Sequence, residues 1–93
     1  MPLNHKTLSR PFTIPNELGF HARPAALFVG AIKDLNCEVG VQMGRTKIDG
    51  KSIIDLLTLG AERGTQVTIH ATGKDAPQAM AAIAALFARN LGD

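Results

Sequence analysis

Two segments of this chain, CEVGVQM (37–43) and QVTIHAT (66–72), alternate apolar and polar side chains residue by residue. Alternation of period two sends one set of side chains to each face of a β-strand, so each strand has one dry and one wet side. In the first segment Cys37, Val39, Val41 and Met43 read as inward, and Glu38, Gly40 and Gln42 as outward. In the second, Val67, Ile69 and Ala71 read as inward, which leaves Thr68, His70 and Thr72 outward. A sheet of such strands is covered by helices on one face and leaves the other in water.

The rest of the chain supplies those helices and two more strands. Ala25, Phe28, Val29 and Ile32 lie at helical spacing, and Pro24 is tolerated only in a first turn. A helix therefore starts near His21 or Ala22, and Asn36 is expected to end it. Upstream, LSRPFTI places Leu8, Phe12 and Ile14 on one strand face. Arg10 interrupts the pattern and Pro11 cannot donate to a ladder, so an edge position or an irregularity is expected. Pro15 and Gly19 then mark a loop.

Gly44-Arg45 can turn the chain into the short strand TKID, closing a hairpin. KSIIDLLTLG reads as a two-turn helix with Ser52 as N-cap, Asp55 three residues on and Gly60 as its stop. Glu62-Arg63-Gly64 is a turn. Asp75 and Gln78 resemble a capping box ahead of a last helix whose apolar face holds Ala79, Ile83, Leu86 and Phe87. The order is βαββαβα, an α+β open-faced sandwich, with residues 1–7 expected to fray.

A length of 93 residues fits one domain. Only four Phe are present, so Ala, Leu, Ile and Val must fill most of the core. A net charge of +2 with ten scattered basic residues speaks against a nucleic-acid partner. The lone Cys37 can form neither an internal disulfide nor a redox pair, and it reads as a small core residue. The separated His5, His21 and His70 make no metal motif, and neither metal nor cofactor is expected. His5 reads as a mobile terminal residue. No leader pattern and no run of ~20 apolar residues is present, so a cytoplasmic location without membrane insertion is expected.

The chemistry concentrates in NELGFHARPAAL (16–27). A helix start carries N–H groups without intrahelical partners and roughly half a positive charge, which suits phosphate. That positive end also disfavours protonated imidazole, so a histidine there stays neutral and nucleophilic. Arg23 can pair with phosphoryl oxygens, and Gly19 lets the backbone approach closely. The plainer reading is a helix-end histidine beside a solvated arginine, and spacing alone leaves both open.

LGFHARPAA, followed by GKSIIDLLTLGAERGTQVTIHATG, resembles the histidine-containing phosphocarrier (HPr) family of the phosphoenolpyruvate-dependent phosphotransferase system, including its nitrogen-branch relatives. The matching segments run from about Phe12 to Phe87. The resemblance implies a four-stranded antiparallel sheet with three helices on one face. It also implies a phosphohistidine at His21 formed through Nδ1, with assistance from Arg23. Phosphorylated enzyme I would be the donor and IIA-type proteins the acceptors in sugar uptake, with the carrier itself acting as a relay and not as a free-standing enzyme. Ser52 matches the serine that an HPr kinase/phosphorylase modifies in many members, although an N-cap role already accounts for a serine there.

Phe20 replaces the Leu or Met more usual in the family, and Asp55 adds a negative charge where partners dock. A transient interface around His21 is expected to draw on Phe20, Ile54 and Leu57, with a basic rim of Arg23, Lys33 and Lys51. Ile53 and Leu56 are assigned inward, although core packing of all the apolar residues is the competing reading. A monomer is expected. The other function considered is a regulatory binding module of the same fold, acting through protein–protein contact without phosphoryl transfer.

Overall fold

A computed structural model describes residues 6–93. The elements are β1 (Thr7–Thr13), α1 (Ala22–Ile32), β2 (Glu38–Met43), β3 (Thr46–Asp49), α2 (Ile53–Leu59), β4 (Gln66–Thr72) and α3 (Ala76–Ala88). A short 3₁₀ turn, Asn90–Gly92, follows α3 and has no counterpart in the sequence reading. The sheet order is β1-β4-β2-β3 with every neighbouring pair antiparallel. The expected α+β open-faced sandwich is therefore the observed fold.

The alternation in β2 and β4 does what the pattern requires. Val39, Val41, Val67, Ile69 and Ala71 are buried beneath the helices together with Phe28, Ile32, Leu56, Ile83 and Leu86. Removing side chains of this size from water stabilises by about 1.5–3 kcal/mol each. His70 faces the uncovered side. Its Nε2 donates to Gln42 Oε1 at 2.7 Å, and its Nδ1 accepts from the Ser9 hydroxyl at 2.7 Å, linking three strands. Cys37 is a free, half-buried thiol packed against the core.

Strand β1 lies at the sheet edge, where Pro11 is harmless. Its expected buried face is realised only in part: Ile14, just past the strand end, is buried and Phe12 stacks on Phe87 at 4.5 Å, but Leu8 is 36% exposed. An edge strand has a neighbour on one side only, so period two does not guarantee burial along its whole length. The guanidinium of Arg10, which broke the alternation, lies 5.0 Å from the centre of the Phe12 ring.

Several boundaries differ from expectation. Helix α1 ends at Ile32, and a turn at 33–34 and a bend at 35–37 follow, so Asn36 lies beyond the helix and does not end it. Thr7 already pairs with Thr72 in the sheet, which removes it from the frayed terminus; residues 1–5, including His5, lie outside the described chain. Asp75 is the N-cap of α3 but does not cap with its side chain. Its Oδ2 instead accepts from the Asn36 N–H at 2.7 Å, a tertiary partner that displaces the local capping box.

Candidate functional site

Pro24 sits in the first turn of α1 with His21 as the N-cap in extended conformation. His21 N–H donates to Gly19 O at 2.9 Å, and Ala25 N–H returns to His21 O at 3.0 Å. Pro24 has no N–H, and within the described chain neither Ala22 nor Arg23 donates its own backbone N–H. The helix end therefore presents two unpartnered donors beside the imidazole, the arrangement that accommodates an anion.

Gly19 sets the angle of entry. Its φ is +61°, and a Cβ there would fall 1.9 Å from Ala61 O, so both backbone shape and close approach demand glycine. Asn16 is buried, 1% exposed, and donates from Nδ2 to Gly19 O at 2.8 Å and to Asp93 Oδ2 at 2.7 Å. The same Asp93 oxygen accepts from His21 Nε2 at 2.9 Å. Among the described residues Nδ1 of His21 has no hydrogen-bond partner.

The Asp93 carboxyl is held below its ordinary value of 3.8, chiefly because His21 and Asn16 hydrogen-bond to its charged form; Arg23 adds a smaller electrostatic pull. Asn16 and Asp93 are absent from the sequence-derived site. Asn16 lies in the loop already recognised, yet nothing local says that its amide turns inward. Asp93 lies 72 residues from its histidine partner, a separation that leaves no local signal.

The other anticipated residues divide. Arg23 is exposed next to His21, and among the described residues it has no hydrogen-bond or ion-pair partner, so its guanidinium is available. Ser52 is the N-cap of α2, where its Oγ accepts the Asp55 N–H at 3.2 Å, and Gly60 ends that helix at φ +69°. Asp55 turns back, its Oδ2 accepting from the Asp49 N–H at 3.2 Å.

Phe20 departs from its assignment to the docking collar. It is 4% exposed and packs edge-on against Phe28 and Phe87, with ring centroids 5.4 and 6.4 Å apart. Because Gly19 turns the chain, residue 20 points into the core and the exposed apolar residue of the loop is Leu18, at 70%. On α2 Ile54 and Leu57 stand outward and Leu56 inward, but Ile53, assigned inward, is exposed as well. A seven-residue helix has room for one core stripe, which Leu56 and Leu59 occupy. Lys51 is not a free rim charge, since its ammonium donates to Leu35 O at 2.6 Å. Lys33 is exposed at the C-cap of α1.

Among the described residues no three His, Cys, Asp or Glu side chains gather in a way that could hold a metal, and no helix is long and apolar enough to cross a membrane.

The chain is similar to known proteins along most of its length. A family model described as the PTS HPr component phosphorylation site matches residues 8–89. The chain is 44% identical over 80 residues to phosphocarrier protein HPr of Pseudomonas putida, covering 85% of this chain and 89% of that one. It is 39% identical over 85 residues to a multiphosphoryl transfer protein of Haemophilus influenzae, spanning 88% of this chain but 17% of that longer protein. A crystal structure of HPr from Thermoanaerobacter tengcongensis superposes with a TM-score of 0.87 at 32% identity, covering 92% of this chain and 97% of that one. With its fold, its helix-end histidine and its relatives in agreement, the chain belongs to the HPr family of phosphocarriers of the phosphotransferase system.

Proposed function

We propose that His21 is the residue that carries the phosphoryl group, on Nδ1, with Arg23 binding the phosphoryl oxygens. The observation that carries this reading is the division of labour on the imidazole: Nε2 is engaged by Asp93, and among the described residues Nδ1 has no partner, at a helix start whose Ala22 and Arg23 N–H groups are free. A phosphoryl group added there meets donors already in place and the positive end of an 11-residue helix. Arg23 supplies planar, charge-assisted donors of the kind phosphate selects.

Enzyme I is the donor and IIA-type proteins are the acceptors in this reading, as membership of the family implies. Docking uses the exposed apolar side chains of α2, Ile53, Ile54 and Leu57, together with Leu18 beside the histidine. Arg23 and Lys33 supply the basic rim, suited to acidic partner surfaces. The protein acts as a monomer in the cytoplasm. Ser52 is a second, regulatory acceptor for an HPr kinase/phosphorylase; a phosphate of about −1.5 to −2 charge there would act chiefly on docking, since it favours a helix start.

Incubation with phosphoenolpyruvate and enzyme I, read by intact mass, tests the main step. One acid-labile phosphoryl adduct is expected, absent from His21→Ala. An unmodified wild type beside a phosphorylated control HPr would overturn the assignment. For Ser52, ATP and an HPr kinase should leave an acid-stable adduct that Ser52→Ala lacks; without that adduct only the capping role stands.

A further inference from the structure

Asn16, Asp93 and His21 come from the site loop, the end of the described chain and the helix start, and their side chains form one row of hydrogen bonds. We propose that Asp93, anchored by Asn16, is a positioning residue that holds the His21 proton on Nε2 and so keeps Nδ1 permanently open to phosphorus. This inference rests on the reading of His21 as the phosphoryl carrier.

A neutral imidazole has one proton for two nitrogens, and the partner of one nitrogen selects the tautomer. A carboxylate can only accept, and Asp93 Oδ2 lies 2.9 Å from Nε2, so Nε2 is the donor and Nδ1 keeps its lone pair. His70 provides the internal contrast. Its two nitrogens are bonded to the neutral Ser9 and Gln42 side chains, so it has neither an open nitrogen nor a carboxylate.

Asn16 fixes the carboxylate in turn. Both acceptors facing its amide, Gly19 O and Asp93 Oδ2, require N–H donors, which settles which way the amide points. Its Oδ1 is left buried with no partner within the described chain. An unpaired buried carbonyl is destabilising, and an apolar side chain of similar size would avoid it. What asparagine alone supplies here is the pair of donors, one to the loop and one to Asp93.

The transfer then needs no ring proton to move. The Nδ1 lone pair forms the new bond to phosphorus, while the P–N bond of the enzyme I phosphohistidine breaks and its electron pair returns to that donor ring. The His21 ring becomes cationic with Nε2 still protonated, and the adjacent carboxylate offsets the charge. On delivery the Nδ1–P pair returns to Nδ1 and the ring is neutral again, still in the Nε2–H form. Arg23 is the other charged group acting on Asp93.

The test is imidazole ¹⁵N spectroscopy of His21 at a pH where the ring is neutral, combined with initial rates of phosphorylation by enzyme I. Wild type should show the Nε2–H tautomer almost alone. Asp93→Ala should show both tautomers and a rate lower by about tenfold, the low end of the loss seen when the carboxylate orienting a metal-bound histidine is removed. Asp93→Asn, whose amide oxygen can still accept, should restore the tautomer. Asn16→Ala should move the ratio in the same direction as Asp93→Ala; if that variant fails to fold, Asp93→Ala decides alone. An unchanged tautomer ratio or an unchanged rate in Asp93→Ala would overturn the proposal. A wild type with the Nε2–H spectrum that accepts no phosphoryl group would instead overturn the carrier reading, leaving the tautomer assignment supported by its spectrum.

Discussion

His21 and Ser52 each occupy the N-cap of a helix, yet their side chains do opposite things. The Ser52 hydroxyl turns inward and accepts an N–H of its own helix; the His21 ring turns outward to Asp93 and leaves the first-turn donors of α1 unused. A capped helix end has one donor fewer to offer and is more stable; an uncapped one is less stable and can bind an anion. The contrast separates a helix start that serves the fold from one that, in the proposed function, serves chemistry.

Exchanging the two roles by mutation should expose that difference. The largest effect is expected on phosphoryl uptake from enzyme I: His21→Ala should lose the acid-labile adduct completely, while Ser52→Ala should retain it in an intact-mass measurement. Loss of the adduct in Ser52→Ala would break the division between the two helix starts.

The next largest effect separates packing from docking. Phe20→Ala removes a buried ring and should cost about 3–5 kcal/mol in urea unfolding. A stability near that of wild type, with weakened partner binding, would return Phe20 to the docking surface. Stability should also distinguish the two caps. Ser52→Ala should cost about 1 kcal/mol for the lost capping bond. His21→Ala removes no capping bond; what it loses is the partly exposed bond to Asp93, worth about 0.2–1 kcal/mol.

The smallest effect is electrostatic. The Asp93 carboxyl is depressed below 3.8 when folded, by its bonds from His21 and Asn16, so it binds its proton less readily folded than unfolded. Its contribution to stability is therefore complete above 3.8 and disappears as pH falls through the depressed value. The stability difference between wild type and Asp93→Asn should hold steady above that pH and shrink below it. A difference that grows on acidification would contradict the observed pairing.

The elements that were legible in the chain are those decided by neighbours within a few residues. Strands β3 and β4 and helix α2 start and stop, and β2 stops, where alternation, Gly44-Arg45, Ser52 and Gly60 place them, because period, turn chemistry and capping act locally. Where a distant group competes, local reading fails. The Asp75 side chain bonds the Asn36 N–H and not its own helix, and Leu8 has the right period but stays 36% exposed on the edge strand.

The site divides along the same line. His21, Arg23 and Pro24 follow from the sequence because they create the helix start, and Gly19 because a tight loop needs it. Phe20 lies in the core and not at the expected docking surface, where Leu18 is exposed instead, because the positive φ at Gly19 turns the chain between them, which spacing does not register. Asn16 and Asp93 join the histidine only when the 3₁₀ turn after α3 brings the end of the described chain back over α1. By itself the sequence determined where a histidine and a helix end with free N–H groups would stand, since both are properties of one short segment. The tertiary structure decided which nitrogen of that imidazole is free, because hydrogen-bond partners are assigned in space, across 72 residues of chain.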